Sequence, residues 1–218
     1  MFANEGDLIN IPTGIFRAFE NVGDGYGMLM AILGGDDAGG GVTWAPEVIN
    51  DAKDFGLLLG DNGVLYDTKK GESLPAHIGP MELLSEAELN NFPEVSTEEF
   101  MNNFFVSASD LFQHSNDSPV KVIGSKGLLK DKPGFEVDYV SNDTFIKEMH
   151  TTSQYEVNMI MKGEWNLEWK DDSINISAGD TCLIRPNLSY RIVPVGSGQA
   201  SLFKVTKTND RPGSTWRE

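Results

Sequence analysis

Residues 150–191 read His150-Thr-Thr152-Ser-Gln-Tyr-Glu156-Val-Asn158-Met-Ile-Met-Lys-Gly163, then Glu-Trp165-Asn-Leu167-Glu-Trp169-Lys-Asp-Asp-Ser-Ile174-Asn-Ile176-Ser-Ala-Gly179-Asp180, then Thr-Cys182-Leu-Ile-Arg185-Pro-Asn187-Leu-Ser-Tyr190-Arg191. Trp165, Leu167 and Trp169 alternate with Asn166, Glu168 and Lys170, the two-residue period of a half-buried strand. Lys170 to Ser173 predicts a turn, and Ile174-Asn175-Ile176 opens the returning strand. The stretch therefore predicts strand, turn, strand, turn, strand, with Gly179-Asp180 at the last corner.

The polar residues are spaced as regularly as the apolar ones. His150, Glu156 and Gly163 stand at the intervals of the first motif of the cupins, and Gly179 begins the intervals of the second. The stretch thus resembles that family of small jelly-roll barrels. Two positions depart from its pattern: Thr152 stands where the family has a second His, and Tyr190 where it has the His of the second motif. Arg185 and Asn187 take that motif's Pro and Gly positions. A second match opens the chain, where Gly6, Pro12, Gly14, Arg17 and Asn21 keep the second-motif spacing, with Arg17 at the His. Only five residues precede Gly6, which leaves no first motif to match. The resemblance implies an all-β-dominated fold, a cupin double-stranded β-helix over 105–210. It also implies an incomplete N-terminal cupin half over 1–35, as in the C-terminal part of a two-barrel protein.

Between these lies a connector, 36–104, with short helices, and a tail follows at 211–218. Leu8 to Ile11 and Tyr26 to Leu33 read as strands, and Pro12-Thr13-Gly14 as a turn. Gly34-Gly35 and Asp36 to Gly41 form a loop. Pro46 suits a first helical turn, and Gly56 ends that helix. Ser85 with Glu88, and Ser96 with Glu99, carry the capping-box signature. From Val106 the text turns to β, with Val120 to Ile123, Phe135 to Val140 and Phe145 to Met149 as strands.

With 33 acidic against 17 basic residues the net charge is −16, which argues against nucleic-acid backbones and anionic membranes as partners. The lone Cys182 excludes an intramolecular disulfide and reads as a small buried hydrophobe. No apolar run reaches the roughly 20 residues of a membrane helix, and the opening residues lack a signal-peptide pattern. The expected location is cytoplasmic, and the expected assembly a homodimer.

Strand parity turns Thr152, Glu156 and Asn158 to one side, and the motif pairing implied by the resemblance brings His150 and Tyr190 to them. These five are the expected ligand-binding residues, with Glu156 and His150 the candidate acid/base pair. Tyr155, Val157, Met159 and Met161 form the opposite, packing face. In the family a divalent ion, iron or manganese, sits among such ligands. Thr152 and Tyr190 weaken that set, so no cofactor is expected, and His150, Glu156 and Tyr190 would be the ligands of any metal. The leading expectation is a cupin-like barrel that binds a small molecule or serves structurally. The alternatives are a metal-dependent dioxygenase of the gentisate and homogentisate type and a metal-free sugar isomerase or epimerase, with Arg185 and Arg191 as the nearby cations for a phosphate.

Overall fold

A computed structural model describes residues 1–12, 14–33, 43–115, 118–130 and 134–208. Thr13 of the expected turn, the 34–41 loop and the 211–218 tail lie outside the described residues. In chain order the elements are β1 (Leu8–Ile9), α1 (Pro46–Asp54), β2 (Leu57–Leu59), β3 (Leu65–Asp67), α2 (Glu86–Leu89), α3 (Thr97–Phe104), β4 (Phe105–Val106), α4 (Ala108–His114), β5 (Val120–Ile123), β6 (Phe135–Ser141), β7 (Glu156–Lys162), β8 (Glu164–Trp169), β9 (Asp172–Ser177), β10 (Thr181–Ile184), β11 (Arg191–Val195) and β12 (Ser201–Lys207). The described residues divide into two compact units, 14–29 with 43–94, and 1–12 with 30–33 and 95–208.

The first unit is built from local signals. Pro46 starts α1, where its missing N–H costs no hydrogen bond. The α2 turn carries a complete capping box, in which the Glu88 amide donates to Ser85 Oγ (3.3 Å) and the Ser85 amide to Glu88 Oε2 (2.8 Å). The β2–β3 hairpin turns at Asp61-Asn62-Gly63. Residues 14–29 contain no strand. The expected strand at 26–33 does not form: its large apolar side chains, among them Tyr26, Met28, Leu29 and Leu33, are exposed, so no partner strand rewards the ordering of that backbone.

The second unit holds two antiparallel sheets. The larger runs β10-β7-β12-β6-β5 and the smaller β11-β8-β9. The predicted hairpin appears in register, with Trp165 opposite Ile176 and Leu167 opposite Ile174. The sheets face each other across one core, to which the larger gives Val140, Ile160, Ile184 and Leu202, and the smaller Trp165, Leu167, Ile176 and Ile192. Trp165 and Leu202 are fully buried there. The other face of the larger sheet is covered as well: Met159, Phe203, Val205, Val137 and Tyr139 pack with Leu111 of α4 and Val106 of β4, and Leu8, Ile32, Val157 and Met161 join them. This is the packing face that parity assigned to Val157, Met159 and Met161, while Tyr155 is 49% exposed. Phe145 to Met149, expected as a strand, is irregular.

Glycine conformations hold the corners. Gly163, between β7 and β8, has φ 76°, and a Cβ there would stand 2.9 Å from the Gln199 carbonyl oxygen. No larger residue fits without moving backbone. The motif position that Asn187 fills is also left-handed, φ 65°, a conformation Asn tolerates better than most side chains.

Candidate functional site

Two loops converge at one end of the facing sheets. The His150 amide donates to the Tyr190 carbonyl (2.8 Å) and the Tyr190 amide returns the bond (2.9 Å), while the Asn187 amide donates to the Thr152 carbonyl (2.7 Å). This isolated antiparallel bridge sets the His150 and Tyr190 rings 4.3 Å apart. The first residues of β7 bring Glu156 and Asn158 to the same place. Glu156 and Asn158 are 3% and 0% exposed, and Tyr190 is fully buried.

Thr152 takes a different part. Its hydroxyl accepts the Gln154 amide at 3.1 Å, a local turn bond, and neither it nor Glu156 lines the cavity that His150, Asn158 and Tyr190 border. That cavity, of about 20 Å3, is bordered by His150, Asn158, Tyr190 and Lys204 and by apolar Val140, Ile146, Ile192, Leu202 and Pro119. Such a volume accommodates one water-sized group.

Glu156 is the hub. Its Oε2 accepts the Tyr190 hydroxyl (2.8 Å) and lies 3.9 Å from His150 Nε2. Its Oε1 accepts the Thr206 hydroxyl (3.4 Å) and lies 3.7 Å from Lys204 Nζ. A buried carboxylate needs such partners, because isolation from water is costly. Burial drives the Tyr190 phenol far above its ordinary range, and the Glu156 charge adds to the effect, so the hydroxyl keeps its proton and donates it. Burial pushes the His150 imidazole below its usual value; Lys204 adds to that, and Glu156 works against it.

Asn158 and His150 are the opposite case. Neither amide atom of Asn158 and neither ring nitrogen of His150 has a hydrogen-bond partner among the described residues, although all four atoms are shielded from solvent. The Asn158 amide lies beside the Cys182 thiol and the Tyr190 phenol, near enough to influence both, without a bond of normal geometry to either.

Lys204 is the member of this group that sequence reading missed. It belongs to a row that crosses the larger sheet in register: Lys121 opposite Asp138, Asp138 opposite Lys204, Lys204 opposite Asn158, Asn158 opposite Cys182. Asp138 is engaged by Lys121 at 2.9 Å, which leaves Glu156 to Lys204. The signal was present, since Lys204 and Thr206 share a parity with Leu202, opposite to that of Phe203 and Val205. Arg191 pairs outside this row, its Nη2 2.6 Å from Glu168. His77 and His114 are exposed, and His114 ends α4, a helix capped by Ser107.

The resemblance implies a divalent metal at His150, Glu156 and the Tyr190 position, and the donors do not fit one. Tyr190 is a proton donor toward Glu156, and an ammonium stands beside the carboxylate. Among the described residues no group of three or more His, Cys, Asp or Glu side chains converges as a metal cluster. Nor, among the described residues, is any helix long and apolar enough to cross a membrane.

Residues 132–211 match the family model of the AraC-like ligand binding domain. Among solved structures, a cupin-2 domain protein from Shewanella frigidimarina is 14% identical over 47% of this chain and 93% of its own, with a TM-score of 0.36. A protein from Neisseria meningitidis is 16% identical over 47% and 98%, TM-score 0.37, and an RmlC-like cupin family protein with a double-stranded β-helix from Methanocaldococcus jannaschii is 18% identical over 43% and 82%, TM-score 0.34. Among curated proteins no sequence matches this chain. With its two facing antiparallel sheets and the match at 132–211, the sheet-bearing part of the chain has the cupin fold and is similar there to an AraC-like ligand binding domain.

Proposed function

We propose that this region binds a small polar molecule at the His150–Asn158 end of the sheets, without a metal. One observation carries the reading: the Asn158 amide, 0% exposed, has no hydrogen-bond partner for its donor or its acceptor among the described residues and borders the same cavity as His150, whose ring nitrogens likewise have none. Buried polar groups are almost always bonded, so a pair left open around a shared space points to a bonding group from outside the chain. The space takes one hydroxyl or carbonyl oxygen, and the apolar rim at Ile146 and Pro119 suits a less polar body behind it. In this reading Tyr190 lines the site, Glu156 holds the Tyr190 hydroxyl from behind it, and Thr152 clamps the loops rather than touching ligand.

A metal-dependent dioxygenase is the less favoured reading, because the donors around Glu156 supply protons where metal ligands are needed. Lys204 offers the interior cation that the isomerase alternative lacked, but the space beside it is far too small for a sugar phosphate. The acidic surface favours neither nucleic acid nor membrane as a partner. Exposed Tyr26, Met28, Leu29 and Leu33 are consistent with pairing of two copies, which light scattering measures directly.

The test is a thermal-shift screen of small hydroxyl and carbonyl compounds against wild type and Asn158→Leu. Compounds that bind here raise the melting temperature of wild type and not of the variant. A ligand that stabilises both equally places its site elsewhere.

A further inference from the structure

Lys204 differs from the other cations of the sheet. Lys121 bonds Glu136 and Asp138 at the half-exposed end of the row, whereas Lys204 lies inside, its side chain 18% exposed, with its Nζ 3.7 Å from a Glu156 oxygen. A divalent ion bonded to that carboxylate at about 2.0–2.2 Å would stand within about 6 Å of the ammonium, with little water between to screen the repulsion. Tyr190 meanwhile directs its proton at the other carboxylate oxygen. The charge that a metal contributes in metal-holding barrels of this fold is thus already present, on a side chain fixed by the central strand.

We infer that Lys204 is a positioning residue that acts through Glu156: its ammonium serves as the built-in counter-ion of the site and keeps divalent cations out. The inference rests on the metal-free part of the proposed reading and not on its ligand. Asn158 and His150 can bind a ligand whether or not Lys204 excludes metal, and the converse holds as well.

The experiment adds zinc chloride or nickel chloride to the full chain under calorimetry, comparing wild type, Lys204→Arg and Lys204→Met. Because an acidic surface collects ions weakly, only uptake abolished by a further His150→Ala counts. Wild type and Lys204→Arg show no such uptake, while Lys204→Met binds zinc at least about ten-fold more tightly, and Lys204→Met/His150→Ala loses the gain. One equivalent of metal bound by wild type in a His150-dependent manner overturns the inference, as does a folded Lys204→Met that binds no better than wild type. If Lys204→Met fails to fold, the double variant Lys204→Met/Glu156→Gln decides. Recovery of folding shows that Lys204 balances the Glu156 charge; no recovery shows that its hydrocarbon stem, not its charge, is what the barrel needs.

Discussion

Replacing Asn158 by leucine makes the open pair at the site measurable. Leucine keeps the branching of asparagine, so its methyl groups fall near the amide atoms while the unmet donor and acceptor disappear. A buried polar group without partners costs about 1–3 kcal/mol, and both atoms of this amide are in that state. The extra bulk of leucine is taken by the adjoining cavity of about 20 Å3, with some strain from packing. The ligand-free protein should therefore gain about 1–2 kcal/mol. For a domain of this size that is roughly 2–8 °C in melting temperature. Urea unfolding followed by far-UV circular dichroism gives the free energy, and calorimetry gives the temperature. A loss of more than about 1 kcal/mol would refute the reasoning, because it would mean that the Asn158 amide is bonded in the folded protein. Stability gained together with ligand affinity lost is the signature of a group kept for binding.

Glu156→Gln should cost about 1–3 kcal/mol, since the charge-assisted bond from Tyr190 weakens and Lys204 loses its counter-charge; denaturant unfolding checks it, and an unchanged midpoint would deny the hub role. His150 sets a pH dependence. Its folded value lies below that of the free side chain, so the unfolded chain binds the proton more readily; stability is full above about pH 6.5 and falls as pH drops through that region. His150→Gln should remove this component in melting curves taken from pH 8 to pH 5, and a variant that keeps the same slope would assign it to another group. Trp165→Ala empties a fully buried position between the sheets and should cost about 3–5 kcal/mol without changing the packing face under α4, which hydrogen exchange can follow.

The parts of this fold that sequence makes legible are those with a local cause. Trp165 and Leu167 announce their hairpin through a two-residue period, Ser85 and Ser96 announce helices through their caps, and the intervals around His150 and Tyr190 place the two residues side by side. Glu156 and Asn158 follow from parity alone. Lys204 was overlooked because its strand is covered on both faces, so Leu202 to Val205 reads as a nearly continuous apolar run and one interior lysine is lost in it. Residues 26–33 misled for the opposite reason: they have the composition of a strand, but pairing is decided by a partner that composition does not reveal. Ser107 carried a cap signal for α4 that the neighbouring polar residues obscured. Parity does not reach Thr152, because the strand begins only at Glu156 and the Thr152 hydroxyl is spent on the next turn.

The place of β12 has a consequence for how the chain is made. This strand lies at the centre of the larger sheet, bonded to β6 on one side and β7 on the other, yet it follows every other strand of that sheet in sequence. Until it leaves the ribosome, β6 and β7 each present an unpaired edge, and Ile160 and Val137 lack their cross-strand neighbours Leu202 and Val205. Assembly of the sheet then waits on long-range closure, which slows folding and lengthens the time those edges can pair with another nascent copy. Slower synthesis alone would only lengthen that wait; a chaperone that shields β6 and β7 until Ser201–Lys207 emerges would keep the edges from pairing during it.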